Sequence, residues 1–274
     1  MNSSMGCGRP TDRIGVVAEA RYGSQTQPRG MVEALRRMSS VEVIDVQRTD
    51  HIERCDVVVA RGRSEHVLDL LAWAERRGVR TVNPSGSVRA VLDKVEMHHR
   101  LLHAGVRVPR TWTGPIQDLR RQLRGHRGPL VIKPVLGDNC RDVKLLDEGS
   151  QLAETPWSEP RAIVQEYVDN DGFDIKLYGI GAQVWAVRKP SPLLASEAEA
   201  VRLVTTPDHV RLAQRCANAF GLDLYGVDCV QTRTGLVVIE VNDFPNYSGL
   251  HWADATLAEF VVGGIDARPA AMAS

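Results

Sequence analysis

Short apolar runs alternate with longer amphipathic ones over the first third of the chain. RIGVVAEA (13–20), VEVIDV (41–46), CDVVVA (55–60) and VRTVNP (79–84) have the length and apolar content of buried strands. Between them, PRGMVEALRRM (28–38) places Met31, Leu35 and Met38 on one side of a helix, and EHVLDLLAWAERRG (65–78) is a helix closed by Gly78. Strands alternating with helices predict a small open α/β layer with parallel strands over 13–84. The segment SGSVRAVLDKVEMHHRLLHAG (85–105) reads as a single helix with a serine start and a glycine stop.

After VRVPRTW the pattern changes to short strands: PLVIKPV (129–135), RDVKLL (141–146), AIVQEYV (162–168), FDIKLYGI (173–180) and QVWAVRKP (183–190). PDHVRLAQRCANAFG (207–221) fits a helix, VDCVQTRTGLVVIEVND (227–243) a hairpin, and the region near 252–262 a terminal helix. Residues 1–12 and 265–274 are polar or small and are expected to be tails. There are no repeats and no low-complexity segments. The expected architecture is an α/β N-terminal domain (13–84) followed by a two-lobed α+β domain (85–264), with lobes of about 106–168 and 169–264.

Composition narrows the function classes. The 274 residues are 43% hydrophobic, which is ordinary for a globular protein with a sizeable core. Lys plus Arg and Asp plus Glu both number 34, so no bulk positive charge calls for nucleic acid. The five cysteines (Cys7, Cys55, Cys140, Cys216, Cys229) are an odd number, lie far apart and contain no C-x-x-C pair. That spacing gives neither a disulfide framework nor a zinc site and fits a reducing compartment. The N-terminal MNSSMGCGRPTD has no apolar core of a signal peptide, and no apolar run reaches membrane-spanning length. The expectation is a soluble cytoplasmic protein without a membrane partner.

The chemistry concentrates in the hairpin. Asp228, Glu240 and Asn242 are set into apolar runs, where ionised carboxylates are expensive unless a cation or partner compensates them. If Arg233, Thr234 and Gly235 form a three-residue loop, position 228 faces position 240 across the ladder. Glu240 and Asn242 are two apart and share that face. Two carboxylates and an amide are a hard, all-oxygen set, suited to Mg²⁺ carried on a nucleotide; a wet strand face is the plain alternative.

GLDLYGVDCV (221–230) followed by VVIEVNDFPNYSGL (237–250) resembles the final signature of the ATP-grasp superfamily. NPSGSVRAVLDK (83–94), VIKP (131–134), VQEYV (164–168), IKLYGIG (175–181) and VRKPS (187–191) match in order and spacing. The similarity is greatest to the RimK-type glutamate ligases and to the inositol polyphosphate kinases of the same fold. The resemblance implies a pre-ATP-grasp domain followed by a two-lobed ATP-grasp fold. It implies Asp228, Glu240 and Asn242 as ligands of Mg²⁺, with Mn²⁺ as a substitute, and ATP as the nucleotide. Lys94 and Lys133 match the two nucleotide-phosphate lysines, and Gln165, Glu166, Tyr167 and Val168 the hinge, whose backbone contacts adenine. Taken alone, Lys94 reads as a surface helix lysine. Asp174 matches an acidic residue beside the nucleotide. Lys176 and Lys189, with Arg188 beside it, match basic residues facing the transferred phosphate or the acceptor.

Two departures stand out. The loop LGDNCRD (136–142), matching the one that closes over phosphates, has only Gly137, with Asp138, Asn139 and Arg141. PSPLLASEAEAVRLV (190–204) is short and lacks the Arg-Ser-Asn segment of RimK-type ligases, leaving Arg202 as the candidate substitute. His98, His99 and His103 lack an H-E-x-x-H pattern and do not indicate a zinc site. Arg21, Ser24, Gln25, Arg61 and Arg63 follow strand ends, where open α/β sheets bind ligands, although ordinary surface arginines are the preferred reading. The resemblance thus implies an Mg·ATP-dependent ligase joining a small-molecule carboxylate to an amine through an acyl-phosphate. The alternative is a kinase phosphorylating a hydroxyl, favoured by VRKPS and the short 190–204 segment. A non-catalytic nucleotide binder is disfavoured by the complete acid and amide set. Oligomeric state is left open, a homodimer included.

Overall fold

The computed structural model describes residues 11–23, 25–137, 142–193 and 198–266. They fall into two compact units, one running to Gly86 and resuming at Asn246, the other spanning Ser87–Pro245.

The first unit holds β1 (Asp12–Ala18), α1 (Thr26–Arg36), β2 (Val41–Asp45), α2 (Thr49–Ile52), β3 (Val57–Arg61), α3 (Glu65–Arg76) and β4 (Arg80–Val82). Its four strands are all parallel, in the order β2-β1-β3-β4. Continuous burial of Val57 to Arg61 reflects a strand covered on both faces. α3 starts where the Ser64 hydroxyl accepts the Val67 N–H.

The second unit opens with α4 (Ser85–Leu92), whose first residues belong to the first unit, and α5 (Lys94–His103). The single helix expected over 85–105 is therefore two. Asp93 is extended, and its carboxylate caps the Val95 and Glu96 N–H groups at 2.8 and 3.0 Å. A short polar side chain competes better for backbone donors at a helix start than inside one. β5 (Thr111–Pro115) and α6 (Ile116–Leu123) follow, neither of which the strand pattern indicated. β6 (Leu130–Lys133), β7 (Lys144–Leu146) and β8 (Arg161–Glu166) complete an antiparallel sheet ordered β5-β8-β6-β7. Of the 141–146 strand, residues 144–146 pair, while Arg141 lies outside the described residues.

The second sheet of this unit has the order β11-β10-β9-β12-β13 and is antiparallel throughout. Its strands are β9 (Phe173–Ile180), β10 (Gln183–Pro190), β11 (Val201–Arg202), β12 (Leu224–Thr232) and β13 (Gly235–Asp243). α7 (Pro207–Phe220) begins at a Thr206–His209 capping box and ends at Gly221, φ +69°. Tyr225 pairs with Gly179, and its ring lies where any Cβ at Gly179 would collide, at 2.0 Å. A glycine there leaves room for the buried Tyr225 ring over the neighbouring strand.

The β12–β13 hairpin differs from expectation in an instructive way. Thr232 pairs with Gly235, so the loop is the two residues Arg233 and Thr234, with Gly235 at φ +113°. That register alone would oppose Asp228 to Ile239. A bulge between the Cys229↔Val238 and Asp228↔Glu240 pairs leaves Ile239 as the extra residue and restores the predicted Asp228–Glu240 pair.

α8 (Ala253–Asp266) belongs to the first unit, so the expected 85–264 domain is not one compact body. Asp254 of α8 accepts a hydrogen bond from Gln27, and a Cβ at Gly30 would meet its carboxylate at 2.3 Å. That close approach to α1 is what draws the helix to this unit. No helix among the described residues is long and apolar enough to cross a membrane.

Candidate active site

Each sheet of the second unit has one core face and one polar face. In the four-stranded sheet, Leu130, Ile132, Ala162 and Val164 pack on Ile116, Leu119 and Leu123 of α6. The alternate residues Val131, Lys133, Ile163 and Gln165 share the other face by register. In the five-stranded sheet, Ile175, Leu177, Val227, Cys229 and Val241 pack with residues of α5 and α7. The opposite face carries Asp174, Lys176, Lys189, Asp228, Glu240 and Asn242, with Arg202 paired to Val187 at its edge.

A cleft with an empty volume of about 820 Å³, open mouth included, is lined by residues of both polar faces. Pro109, Val131, Val143, Tyr167, Val168 and Ile239 make an apolar slot. Lys94, Lys133, Asp174, Lys176, Asp228 and Glu240 make its charged part. The combination of an apolar slot and a few convergent charges suits a flat heteroaromatic ligand bearing anionic groups.

The carboxylates are compensated by lysines. Lys176 Nζ lies 2.7 Å from Asp228 Oδ2, and Lys94 Nζ lies 3.2 Å from Glu240 Oε1. Lys94 also donates to the Gly137 carbonyl at 2.6 Å. It is buried, 9% exposed, and not the surface lysine it resembles in isolation. The Asp93 cap sets the start of α5, and the Lys94 N–H donates to the Val135 carbonyl, which fixes the side chain's root. Lys133, at the end of β6, donates to Gln165 Oε1 at 2.8 Å.

These environments perturb ionisation. Burial works against the Lys176 charge, but the Asp228 carboxylate outweighs it and raises the ammonium above the usual lysine range. Burial raises the Asp174 carboxyl; Lys176 opposes this and Asp228 reinforces it. Burial and the neighbouring Lys176 lower Lys189, with Asp228 partly offsetting them. Burial pushes the Cys55 and Cys216 thiols up to about 11 and about 12, and Cys229 well above its ordinary value, so none of these is poised as a thiolate nucleophile.

The other expected residues divide. Gly137 lines the cleft. The Glu166 side chain turns outward to Arg110, 3.6 Å away, and its N–H donates to the Arg110 carbonyl. The Tyr167 N–H donates to the Pro129 carbonyl. Asn242 lies opposite Gly226, beyond Glu240, and Lys189 has its ammonium 5.7 Å from the Tyr178 ring; neither lines the cleft. Arg202 is exposed, and Arg188 turns to Asp171 at 2.9 Å. Asp138, Asn139, Arg141 and Ser24 lie outside the described residues. No group of three His, Cys, Asp or Glu side chains able to hold a metal occurs among the described residues; the acid pair with Asn242 contains only two such side chains. His99 and His103 are exposed, and His98 stacks edge-on against His99. In the first unit Arg61 is 7% exposed, donates to the Gln27 carbonyl and Gln25 Oε1, and sits 4.7 Å from the Tyr22 ring. It is a buried arginine rather than a surface one. Arg21 pairs with Glu19 at 2.5 Å.

Thr111 and Asn170 are site residues the sequence did not single out, and Ser191 is one to which it assigned no role. Asn170 Oδ1 accepts the Gly172 N–H and its amide reaches Asp174 at 3.4 Å. The D-N-D-G turn is its sequence signal. Ser191, the last residue of VRKPS, is 4% exposed and hydrogen-bonds Asp174.

A RimK-like ATP-grasp domain is recognised over residues 91–259. The chain belongs to the RimK-like ATP-grasp family. Among curated relatives of this ATP-grasp protein, the probable alpha-L-glutamate ligase of Trichodesmium erythraeum is 31% identical over 196 residues, 65% of this chain and 64% of that one. The probable alpha-L-glutamate ligase of Methanococcoides burtonii is 30% identical over 263 residues, 82% of this chain and 86% of that one. The chain spans just under two thirds of the length of the first curated relatives it matches, 64% and 65%. In fold it is similar to a RimK-domain ATP-grasp protein of Sphaerobacter thermophilus, with TM-score 0.72, 18% identity and coverage of 92% and 100% of the two chains. It is also similar to the D-alanine–D-alanine ligase of Bacillus anthracis, with TM-score 0.69, 15% identity and coverage of 93% and 97%.

Proposed function

We propose that this protein is an ATP-dependent ligase that joins a small-molecule carboxylate to an amine, with L-glutamate as the first substrate to test. One observation carries the reading: three buried or half-buried lysines converge beside an apolar slot, two of them paired with the cross-strand carboxylates Asp228 and Glu240 and the third held by the Gln165 amide oxygen. The names of the glutamate-ligase relatives support the choice of chemistry and of glutamate.

In this reading adenine lies in the slot between Val131, Tyr167 and Ile239. The N–H groups of Glu166 and Tyr167 are engaged within the chain, so the hinge donor to the base is the Val168 N–H. Lys94 and Lys133 hold the nucleotide phosphates as point charges. The substrate carboxylate oxygen attacks the γ-phosphorus, the bond to the bridging oxygen breaks, and ADP leaves. The amine nitrogen then attacks the acyl-phosphate carbonyl, phosphate departs, and the nitrogen loses its proton to give the amide. Lys176 and Lys189 stabilise the charge developing on the transferred phosphoryl group, and positioning with electrostatics supplies most of such catalysis. Asp228, Glu240 and Asn242 are an oxygen set that fits Mg²⁺ or Mn²⁺, with Lys94 and Lys176 as the cations now beside its two carboxylates. Bound there, the metal would neutralise phosphate charge.

A short 190–204 link keeps the kinase reading as the alternative. Hydroxylamine separates them. With Mg·ATP and an accepted acid it captures an acyl-phosphate as a hydroxamate, whereas a kinase leaves a stable phosphomonoester. Hydroxamate from glutamate or another carboxylic acid supports the ligase; a phosphomonoester without hydroxamate overturns it.

A further inference from the structure

We infer that Gln165 is a positioning residue for Lys133, held in one amide orientation by Thr111, and not itself a contact to the nucleotide base. The inference rests on the proposed role of Lys133 as a phosphate lysine.

The geometry is a relay with a fixed direction. The Thr111 hydroxyl lies 2.8 Å from the Pro109 carbonyl, which can only accept, so its one proton points there. Its oxygen is left to accept from Gln165 Nε2, 3.1 Å away. With the amide nitrogen committed to Thr111, Gln165 Oε1 faces Lys133 Nζ at 2.8 Å. Strand register sets this up. Gln165 stands opposite both Thr111 on β5 and Val131 on β6, so it links the β5 edge to the residue two beyond Val131. Both Gln165 and Lys133 are buried, at 6% and 7% exposure.

The choice of a neutral acceptor matters. Lys94 and Lys176 are held by carboxylates, which compete with phosphate for the ammonium. An amide oxygen fixes the direction of the Lys133 ammonium without adding negative charge. A carboxylate at position 165 would add charge against any phosphate bound at Lys133.

The test is a mutant cycle read by equilibrium binding of ATP, ADP and adenosine to the full chain. Gln165→Met keeps the side-chain length and is expected to weaken ATP about 3- to 10-fold, the scale of one hydrogen bond, with adenosine changed less than about 2-fold. Gln165→Glu should weaken ATP more than Gln165→Met, and Thr111→Val should shift it in the same direction but less. In a Lys133→Met background, Gln165→Met should have no further effect on ATP. Additive losses in the double variant, or equal losses for ATP and adenosine, would overturn the inference while leaving Lys133 a phosphate ligand. If Lys133→Met itself leaves ATP affinity unchanged, the underlying reading fails instead. Circular dichroism melts on every variant separate these outcomes from misfolding, and Thr111→Val, at a partly exposed hydroxyl, keeps the test open if Gln165→Met does not fold.

Discussion

Removing Lys94 should make the nucleotide-free protein bind a divalent cation better and ATP worse. In the structure Lys94 Nζ neutralises Glu240 at 3.2 Å, with side-chain exposures of 10% and 22%. At an effective dielectric of about 20, a pair at that distance has a Coulomb attraction of about 5 kcal/mol. Desolvation and the open mouth of the cleft offset most of it, leaving about 1–3 kcal/mol, the range of a hydrogen bond to a charged group. A cation binding alone to Asp228 and Glu240 must displace this ammonium. Lys94→Met should therefore tighten Mn²⁺ binding to the free protein by roughly 5- to 150-fold. The same variant should weaken ATP by about 1.5–3 kcal/mol, since a phosphate donor is gone. Electron paramagnetic resonance titration of Mn²⁺ measures the first, and competition against a fluorescent ATP analogue the second. Unchanged or weaker Mn²⁺ binding in Lys94→Met would refute the reasoning that lysines stand in for the metal.

Lys133→Met should lower ATP affinity by about 1.5–3 kcal/mol and leave adenosine nearly unchanged, as measured by calorimetry. Asp228→Asn and Glu240→Gln should each reduce turnover at limiting Mg²⁺ at least about 10-fold while thermal unfolding stays cooperative, checked by a coupled ADP assay and a melt. Asp174 carries a stability prediction with a definite sign. Its folded-state carboxyl is raised by burial, so its ionised form destabilises the fold. That loss is absent below the unfolded aspartate value near 4, and grows as pH rises through the elevated folded value. Ligand-free Asp174→Asn should melt higher than wild type at pH 7 and converge with it near pH 4; a lower melt at pH 7 would contradict the assignment. Arg202→Ala should cut hydroxamate formation about 10-fold or more while changing ATP affinity less than about 2-fold, because Arg202 lies on the polar face but outside the cleft lining.

Much of this was legible in the chain, and the misses have physical reasons. The parallel layer of the first unit follows from alternating strand and helix runs, because continuous apolar runs such as Val57–Ala60 are buried on both faces. A three-residue loop predicts the Asp228–Glu240 pair, yet the pair arises from a shorter turn and a bulge. Val237, Val238 and Ile239 are all apolar, so their period-two phase does not reveal which one is extra. Asp93 is a good helix-start residue, but the helical pattern runs through it without a break, so the sequence does not mark the cap. α6 was visible in Ile116, Leu119 and Leu123 and was masked by the short strands around it. The burial of Lys94 was not legible, because its partner Glu240 lies far along the chain and only the fold brings them together. The same holds for the link from Lys133 through Gln165 to Thr111.

The measurement closest to the central claim follows one oxygen atom. The acid found in the hydroxylamine screen is labelled with ¹⁸O in its carboxylate and turned over with Mg·ATP and the amine. Attack of that carboxylate on the γ-phosphorus, followed by phosphate departure, must move one labelled oxygen into inorganic phosphate. Mass spectrometry or ³¹P NMR of the released phosphate is expected to show one ¹⁸O per amide formed. Unlabelled phosphate released alongside the amide would contradict the acyl-phosphate route.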